Sequence, residues 1–303
     1  MITRDGQAFA DYVGTLPTDF GPAVARAAFL VAPDGFRMAE ESAADNHYMA
    51  TPDAFDPARA LQQHRQLHQA LATQLPTVCF PGDAATPDAV FPNNVFATKT
   101  DGVIVGRMRH PVRQREAGRT DIRGFFRDVL GYAVTDLSVQ SHPCELTGAM
   151  VVDRARGIGW CGLSERCDEA GAQLLHAAFG LRATLLFDLA PGEYHTNVVL
   201  AVLAGRAALI CPDGVRDPEV VRALAAVYGP HAIVLSSAEK SAFAGNAIAL
   251  GEDAVWMSAT AERALGHKTR AALAAAGFAV HCVELDAIEV GGGSLRCCVA
   301  EVF

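Results

Sequence analysis

The chain has 303 residues, half of them hydrophobic and 19% charged, enough to bury a sizeable core and too apolar for a disordered chain. Its net charge of −9 excludes the basic stripe of a nucleic-acid surface. No apolar run is long enough to span a bilayer, and the N-terminal "MITRDGQAFADYVG" lacks the apolar segment of a secretion signal, so a cytoplasmic protein with no membrane partner is expected. In chain order, "AAFLVAP" predicts a first strand, "PARALQQHRQLHQALATQ" a helix and "TVCFP" a returning strand. "PNNVFATK" and "VIVGRM" predict two more strands before a helix in "RGFFRDVLG". The pattern returns with "LTGAMVVD", "GIGWCGLS", the helix "SERCDEAGAQLLHAAFG" and the strand "ATLLFDL". It returns again with "HTNVVLAVL", "AALICP", "DPEVVRALAAVYG" and "AIVLSS", and once more with "AGNAIAL", "AVWMS", "TAERALGHKTRAALAAAG" and "AVHCVEL". A last apolar run, "SLRCCVAEV", closes the chain.

Five of these runs open alike, on a small or amide residue ahead of a strand-like stretch: Asn94, Gly148, Asn197, Asn246 and Cys297. The steps between them are 54, 49, 49 and 51 residues. A period of this size marks a repeated supersecondary unit, here strand, strand, helix, strand. Glycine at the end of a helical stretch supplies its stop signal. Five such units closing on themselves, with residues 1–303 as a single domain, would set the five anchors around one axis. The chemistry is expected there.

The polar residues at the anchors are Asn93, Asn94, Glu145, Thr147, His195, Asn197, Asn246 and Cys297. Cysteine, histidine and glutamate together point to nucleophilic catalysis. A free thiol has a pKa of about 8.5 and needs a neighbour to become a thiolate at neutral pH. His195 would act as base and then acid, and Glu145 would orient it or grip a cationic substrate. The competing readings are a turn for His195, a solvated carboxylate for Glu145, and turn closure for Asn94 and Asn197. Gly291, Gly292 and Gly293 let the backbone before Cys297 approach a ligand closely. On an extended strand Cys297 and Cys298 point to opposite faces, so one meets the site and the other packs. The eight cysteines are scattered, with no C-x-x-C pair and no grouping with histidines at metal spacing. Free buried thiols are expected, and neither a metal nor another cofactor.

"VFPNN", "ELTGAMVVDR", "GLSER", "EYHTNVV", "FAGN" and "GGGSLRC" resemble, in this order and across nearly the whole chain, the motifs of the pentein superfamily of guanidino-group-modifying enzymes. That superfamily includes arginine deiminases, dimethylarginine dimethylaminohydrolases and amidinotransferases, and the pattern is most similar to its citrulline-utilisation hydrolase branch. The resemblance implies an α/β fold, a five-bladed propeller of ββαβ units with pseudo-fivefold symmetry. It also implies that Cys297 is the nucleophile, His195 the general acid/base and Glu145 the active-site carboxylate. One departure is Leu146, where the branch usually has glycine.

The implied activity is a cysteine-dependent hydrolase of the ureido or guanidino group of a citrulline- or arginine-like amino acid. Arginine deiminases resemble the chain at "FPNN" and "HTN" but carry Asp at the positions of Asn94 and Asn197. Paired carboxylates suit a guanidinium, whereas amides offer both donors and acceptors to a neutral ureido group. Citrulline hydrolysis to ornithine, carbon dioxide and ammonia is therefore the expected reaction. Arginine deiminase or dimethylarginine hydrolase activity is the alternative, followed by an amidinotransferase or a non-catalytic propeller. Asn93, Asn94, Asn197 and Asn246 are expected to line the substrate site. Arg166 matches a position that holds the substrate α-carboxylate in deiminases, and the arginines of "GRMRHPVRQREAGR" would help or cap the site. The expected partner is a small amino-acid substrate, and a homodimer is compatible with the sequence.

Overall fold

The computed structural model describes residues 1–49 and 55–303. It is a mixed α/β fold of five small sheets with one recurring topology, an antiparallel pair joined by a parallel third strand. In chain order the strands are β1 (Ile2–Thr3), β2 (Ala27–Val31), β3 (Thr77–Phe80), β4 (Phe96–Lys99), β5 (Gly102–Val105), β6 (Ala133–Asp136), β7 (Met150–Asp153) and β8 (Ile158–Leu163). They continue with β9 (Ala183–Asp188), β10 (Leu200–Leu203), β11 (Ala207–Ile210), β12 (Ala232–Val234), β13 (Ile248–Ala249), β14 (Ala254–Ser258), β15 (Ala279–Val283) and β16 (Ala300–Val302). Four sheets take consecutive strands, β4-β5-β6, β7-β8-β9, β10-β11-β12 and β13-β14-β15. The fifth draws on both ends of the chain: β16 runs antiparallel to β2 and β2 parallel to β3. β1 adds a short parallel edge to β9, a pairing for which the sequence reading had no strand.

Tight hairpins make the antiparallel pairs of the four sheets of consecutive strands, and a helix carries the chain back to the parallel strand, because a parallel connection needs a long crossover. Asp56 caps the helix Pro57–Ala72, accepting from Arg59 N at 3.0 Å, and Pro57 occupies its first turn. Its buried face, Ala60, His64, Leu67 and Leu71, has the spacing of one apolar stripe. Asp168 and Gly180 bound the helix Glu169–Phe179 in the same way, cap and left-handed stop. The stretch at 259–275 divides into helices Ala259–Ala264 and His267–Ala275, broken at Leu265 and Gly266, where sequence periodicity predicts one helix. No helix among the described residues is long and apolar enough to cross a membrane.

The five anchors share a local geometry that the sequence reading missed. Each sits on a short helical or bent turn immediately ahead of the first strand of its sheet. Asn94 ends the 3₁₀ turn Pro92–Asn94, Gly148 lies in Leu146–Ala149, Asn197 in Thr196–Val199 and Cys297 in Leu295–Cys298, while Asn246 closes a bend before β13. Cys297 and Cys298 are thus on a helical turn, not a strand, and β16 begins only at Ala300. Successive helical residues diverge by about 100°, so the two thiols still face different surroundings.

Candidate active site

Cys297 Sγ accepts from Asn246 Nδ2 at 3.4 Å, and Asn246 Oδ1 accepts from Arg296 N at 3.1 Å. One amide therefore fixes both the thiol and the turn that carries it. Cys297 lines a cavity of about 20 Å³ together with Asn94, Asp88, Arg113, Arg166, Tyr194, Asn46 and the Gly291–Gly293 run. Gly292 has φ +80°, and a Cβ there would stand 2.3 Å from Asn46 Nδ2, so only glycine fits this approach. Cys298 is fully buried in the apolar cluster that also holds Leu295 and Val299.

Glu145 and His195 are both fully buried. Glu145 Oε2 lies 2.8 Å from His195 Nε2 and 3.4 Å from Arg166 Nη1, and Oε1 accepts from Arg109 N at 3.0 Å. Burial favours the neutral acid, but the charge of Arg166, the His195 hydrogen bond and the charge of Arg113 outweigh it and hold the carboxyl well below the usual carboxylate range. Burial lowers His195, and Glu145 offsets only part of that. A neutral imidazole facing an ionised carboxylate carries its proton on Nε2, which leaves the lone pair at Nδ1. Nδ1 has no protein partner. A Cβ at Gly148 would lie 2.9 Å from that Nδ1 and 2.6 Å from Asn94 Oδ1, so the ring, the amide and the bare Cα of Gly148 converge.

Leu146, the departure from the motif, has φ +29°, a left-handed backbone that glycine adopts without penalty. Its side chain is fully buried among Ile104, Cys144, Ala149 and Met150, and that apolar contact offsets the backbone cost.

Arg166 lies at the cavity, but its donors point elsewhere. Nε and Nη2 fork onto Asp45 at 2.9 and 2.5 Å, Nη2 also reaches Ser42 O at 3.3 Å, and Nη1 faces Glu145. Arg166 is the residue expected to hold a substrate α-carboxylate, and in this conformation its fork is engaged by Asp45, with which such a carboxylate would compete. Arg113 is the more available cation. Glu116 forks it at 2.8 and 3.0 Å, Nη2 donates to Phe91 O at 3.0 Å, and Nη1 has no acceptor among the described residues. The i,i+3 pair Arg113–Glu116 inside "PVRQREAG" is the sequence signal that singles this arginine out. Asp88, which the sequence reading missed, is buried and accepts from Ser42 Oγ at 2.6 Å.

Two further expected substrate residues lie outside the lining of the Cys297 cavity. Asn197 lines a different cavity, with Thr147, Arg154, Arg296 and Glu301, and its carbonyl accepts from Asn246 Nδ2 at 2.8 Å. Asn93 is buried outside the Cys297 cavity, and its carbonyl accepts from Thr147 Oγ1 at 3.0 Å. Their backbone carbonyls tie neighbouring anchors together, while both side-chain amides are buried without a partner among the described residues. Among the described residues no three His, Cys, Asp or Glu side chains are grouped so as to hold a metal ion.

A family model described as N,N dimethylarginine dimethylhydrolase, eukaryotic, matches residues 32–303. An N(G),N(G)-dimethylarginine dimethylaminohydrolase of Mycobacterium tuberculosis is 30% identical over 217 residues, 71% of this chain and 66% of the relative, just under two thirds of its length. Among solved structures, the N-terminal domain of ArgZ with substrate bound, from an arginine dihydrolase of the Ornithine-Ammonia Cycle in Cyanobacteria, matches with a TM-score of 0.80 at 22% identity, covering 91% of this chain and 97% of that one. A dimethylarginine dimethylaminohydrolase bearing an S-methyl-L-thiocitrulline adduct matches with a TM-score of 0.68 at 20% identity, covering 92% and 100%. The last two likenesses are of fold.

Proposed function

The chain belongs to the N,N dimethylarginine dimethylhydrolase family, and from that membership we propose a cysteine-dependent hydrolase that cleaves a C–N bond of the guanidino group of an arginine-like amino acid. The observation that carries this reading is the composition of the Cys297 cavity. It joins a thiol, the buried carboxylate Asp88, the amide Asn94 and two guanidinium groups, Arg113 and Arg166. A cationic tail pairs with Asp88, an α-carboxylate pairs with Arg113, and Arg166 joins when Asp45 releases it. The thiolate of Cys297 attacks the guanidino carbon. His195 Nδ1 first takes the proton of the Cys297 thiol, then returns it to the departing amine, leaving a covalent S-adduct, and next takes a proton from the water that cleaves it, returning that proton to the sulfur as the product leaves. Glu145 keeps the imidazole oriented and stabilises its charged form.

Asn94 supports a second reading. Its amide serves a ureido oxygen as well as an N–H donor, so citrulline remains a candidate, yielding ornithine, carbon dioxide and ammonia. The argument for citrulline rests on Asn94 alone, because Asn197 lines another cavity. The same family reading takes the five sheets as five blades around one axis in a single unit, which the repeated sheet topology supports.

The test is incubation with L-arginine, methylated arginines, L-citrulline and agmatine, with assays for citrulline, ornithine, methylamine and ammonia. Release of citrulline or ornithine from an arginine fits the first reading, and ornithine from citrulline fits the second. Agmatine, which lacks the carboxylate, is expected to be turned over at least about tenfold less efficiently. Inertness toward every one of these compounds would refute the proposal.

A further inference from the structure

β7 is followed directly by Arg154, whose guanidinium lies between two aromatic rings, 4.3 Å from the Phe303 centroid and 4.9 Å from that of Phe179. Among the described residues it makes no ion pair and no side-chain hydrogen bond. The carboxylate with the strongest field on it, Glu301, is already bonded to Arg296 at 2.9 Å. Two guanidinium groups therefore share the Glu301 carboxylate, and only Arg296 is bonded to it. Burial pushes Arg154 down to about 10, as expected for a cation short of compensation.

Arg154 forms the base of a cleft of about 210 Å³ walled by Phe20, Pro22, Phe179 and Phe303, with Lys99 and Thr100 at its side. Lys99 Nζ donates one hydrogen bond, to Ala178 O at 2.6 Å, which leaves two of its three protons for another acceptor. No residue of this cleft lines the Cys297 cavity.

We propose that this cleft is a binding site for a small carboxylate with an apolar body, the carboxylate on Arg154 and Lys99 and the body against the phenylalanine rings. An aromatic sandwich satisfies the faces of a guanidinium but none of its five N–H donors, which lie in the plane and require oxygen acceptors. A carboxylate supplies two acceptors and the missing charge together. The volume suits a ligand of about five to nine heavy atoms, smaller than the usual 300 Å³ and more of a drug-sized pocket.

The test uses the full chain, with the Arg154 variants separating binding in this cleft from binding in the Cys297 cavity. Binding of 3-methylbutanoate, benzoate and the neutral amide 3-methylbutanamide is followed by ligand-observed NMR up to about 50 mM, the range in which so small a ligand binds measurably. Both acids are expected to bind and the amide is not. Arg154→Met should weaken the acids at least about tenfold, while Arg154→Lys, which keeps the charge but loses the paired planar donors and the ring stacking, should fall between Met and the unsubstituted chain. Should Arg154→Met fail to fold, the acid–amide comparison and Arg154→Lys still decide. Equal binding of acid and amide, equal affinity in all variants that fold, or no acid binding to the unsubstituted chain would overturn the assignment.

Discussion

Burial raises the Cys297 thiol above its ordinary 9.0, and the Asn246 amide, the Ser294 backbone and the charges of Arg296 and Arg113 offset only part of that. A thiol protonated at rest becomes a nucleophile when a bound cation and His195 favour the thiolate, which ties reactivity to an occupied cavity. Cys297→Ala should abolish turnover with the fold intact. Cys298→Ala, which removes only a sulfur packed against Leu295 and Val299, should retain most activity and lose about 1 kcal/mol of stability. A dead Cys298 variant beside an active Cys297 variant would reverse the assignment. The buried His195–Glu145 pair is found in the structure, and the positions of Cys297, His195 and Glu145 were legible in the sequence as polar residues at repeating anchors. The polar lining was not, since the side of the turn that an amide faces depends on the helical geometry of turns that sequence periodicity reads as strand. Asn197 and Asn93 lie outside that lining for this reason, Arg113 was named only among the arginines of "GRMRHPVRQREAGR", and Asp88 was missed. Gly148 tests the convergence behind the imidazole. In Gly148→Ala the new methyl would stand 2.8 Å from His195 Cε1 and 2.6 Å from Asn94 Oδ1, so both must shift. A displacement near 1 Å at a catalytic group predicts a fall in kcat of about 10²-fold. An unchanged kcat would show that neither position matters to the chemistry.

At the scale of elements, apolar runs of strand length and helices ending in glycine were legible because each carries its own local signal, alternation or a cap. The short edge β1 and the division of the helices at 259–275 were not. The first is decided by the free edge that β9 presents, and the second by Leu265 and Gly266 within an otherwise helical composition. The helix Pro57–Ala72 carries a feature with a consequence for pH. His64 on its inner face is 1% exposed, and its Nε2 has no partner. Burial, then the charge of His68, hold it down at about 4, against 6.5 in an unfolded chain. The folded state thus binds fewer protons than the unfolded state between these values, so stability is complete above pH 6.5 and falls as the pH drops toward 4. The loss from this group reaches roughly 3 kcal/mol at most. His64→Leu should remove that part of the slope, so the urea midpoints of variant and wild type should diverge progressively below pH 6.5. Parallel midpoints across the window would place the acid sensitivity elsewhere.

For the molecule as a whole, the first strand, β1, is sewn onto β9 in mid-chain and the last, β16, onto β2 near the start. β16 supplies the antiparallel partner of β2, with Ala300 opposite Phe29 and Val302 opposite Ala27, and Phe303 N donates to Thr98 Oγ1 at 2.9 Å. Residues 300–303 follow the turn that carries Cys297 with only Val299 between, so this sheet and Cys297 share a support. The pairing spans about 270 residues, and its loop-closure entropy is recovered only if the intervening sheets are already in place. Loss of β16 therefore leaves the β2–β3 pair with an open edge and uncovers Phe29, which packs edge-on against Phe80, Phe96 and Phe126. In the full chain six of the eight thiols are buried, with Cys79 partly exposed and Cys282 exposed. Deleting residues 300–303 should make most of the buried thiols react with Ellman's reagent within minutes at 25 °C, where the intact chain reacts rapidly only at Cys282 and Cys79. Protection of Cys144, Cys161 and Cys167, fully buried and remote from the lost strand, separates two outcomes. If these three open along with Cys297 and Cys298, the five sheets unfold as one unit. If only Cys297 and Cys298 open while the three stay protected, the first sheet is an independent unit, and the idea that closure by β16 holds the whole molecule together fails.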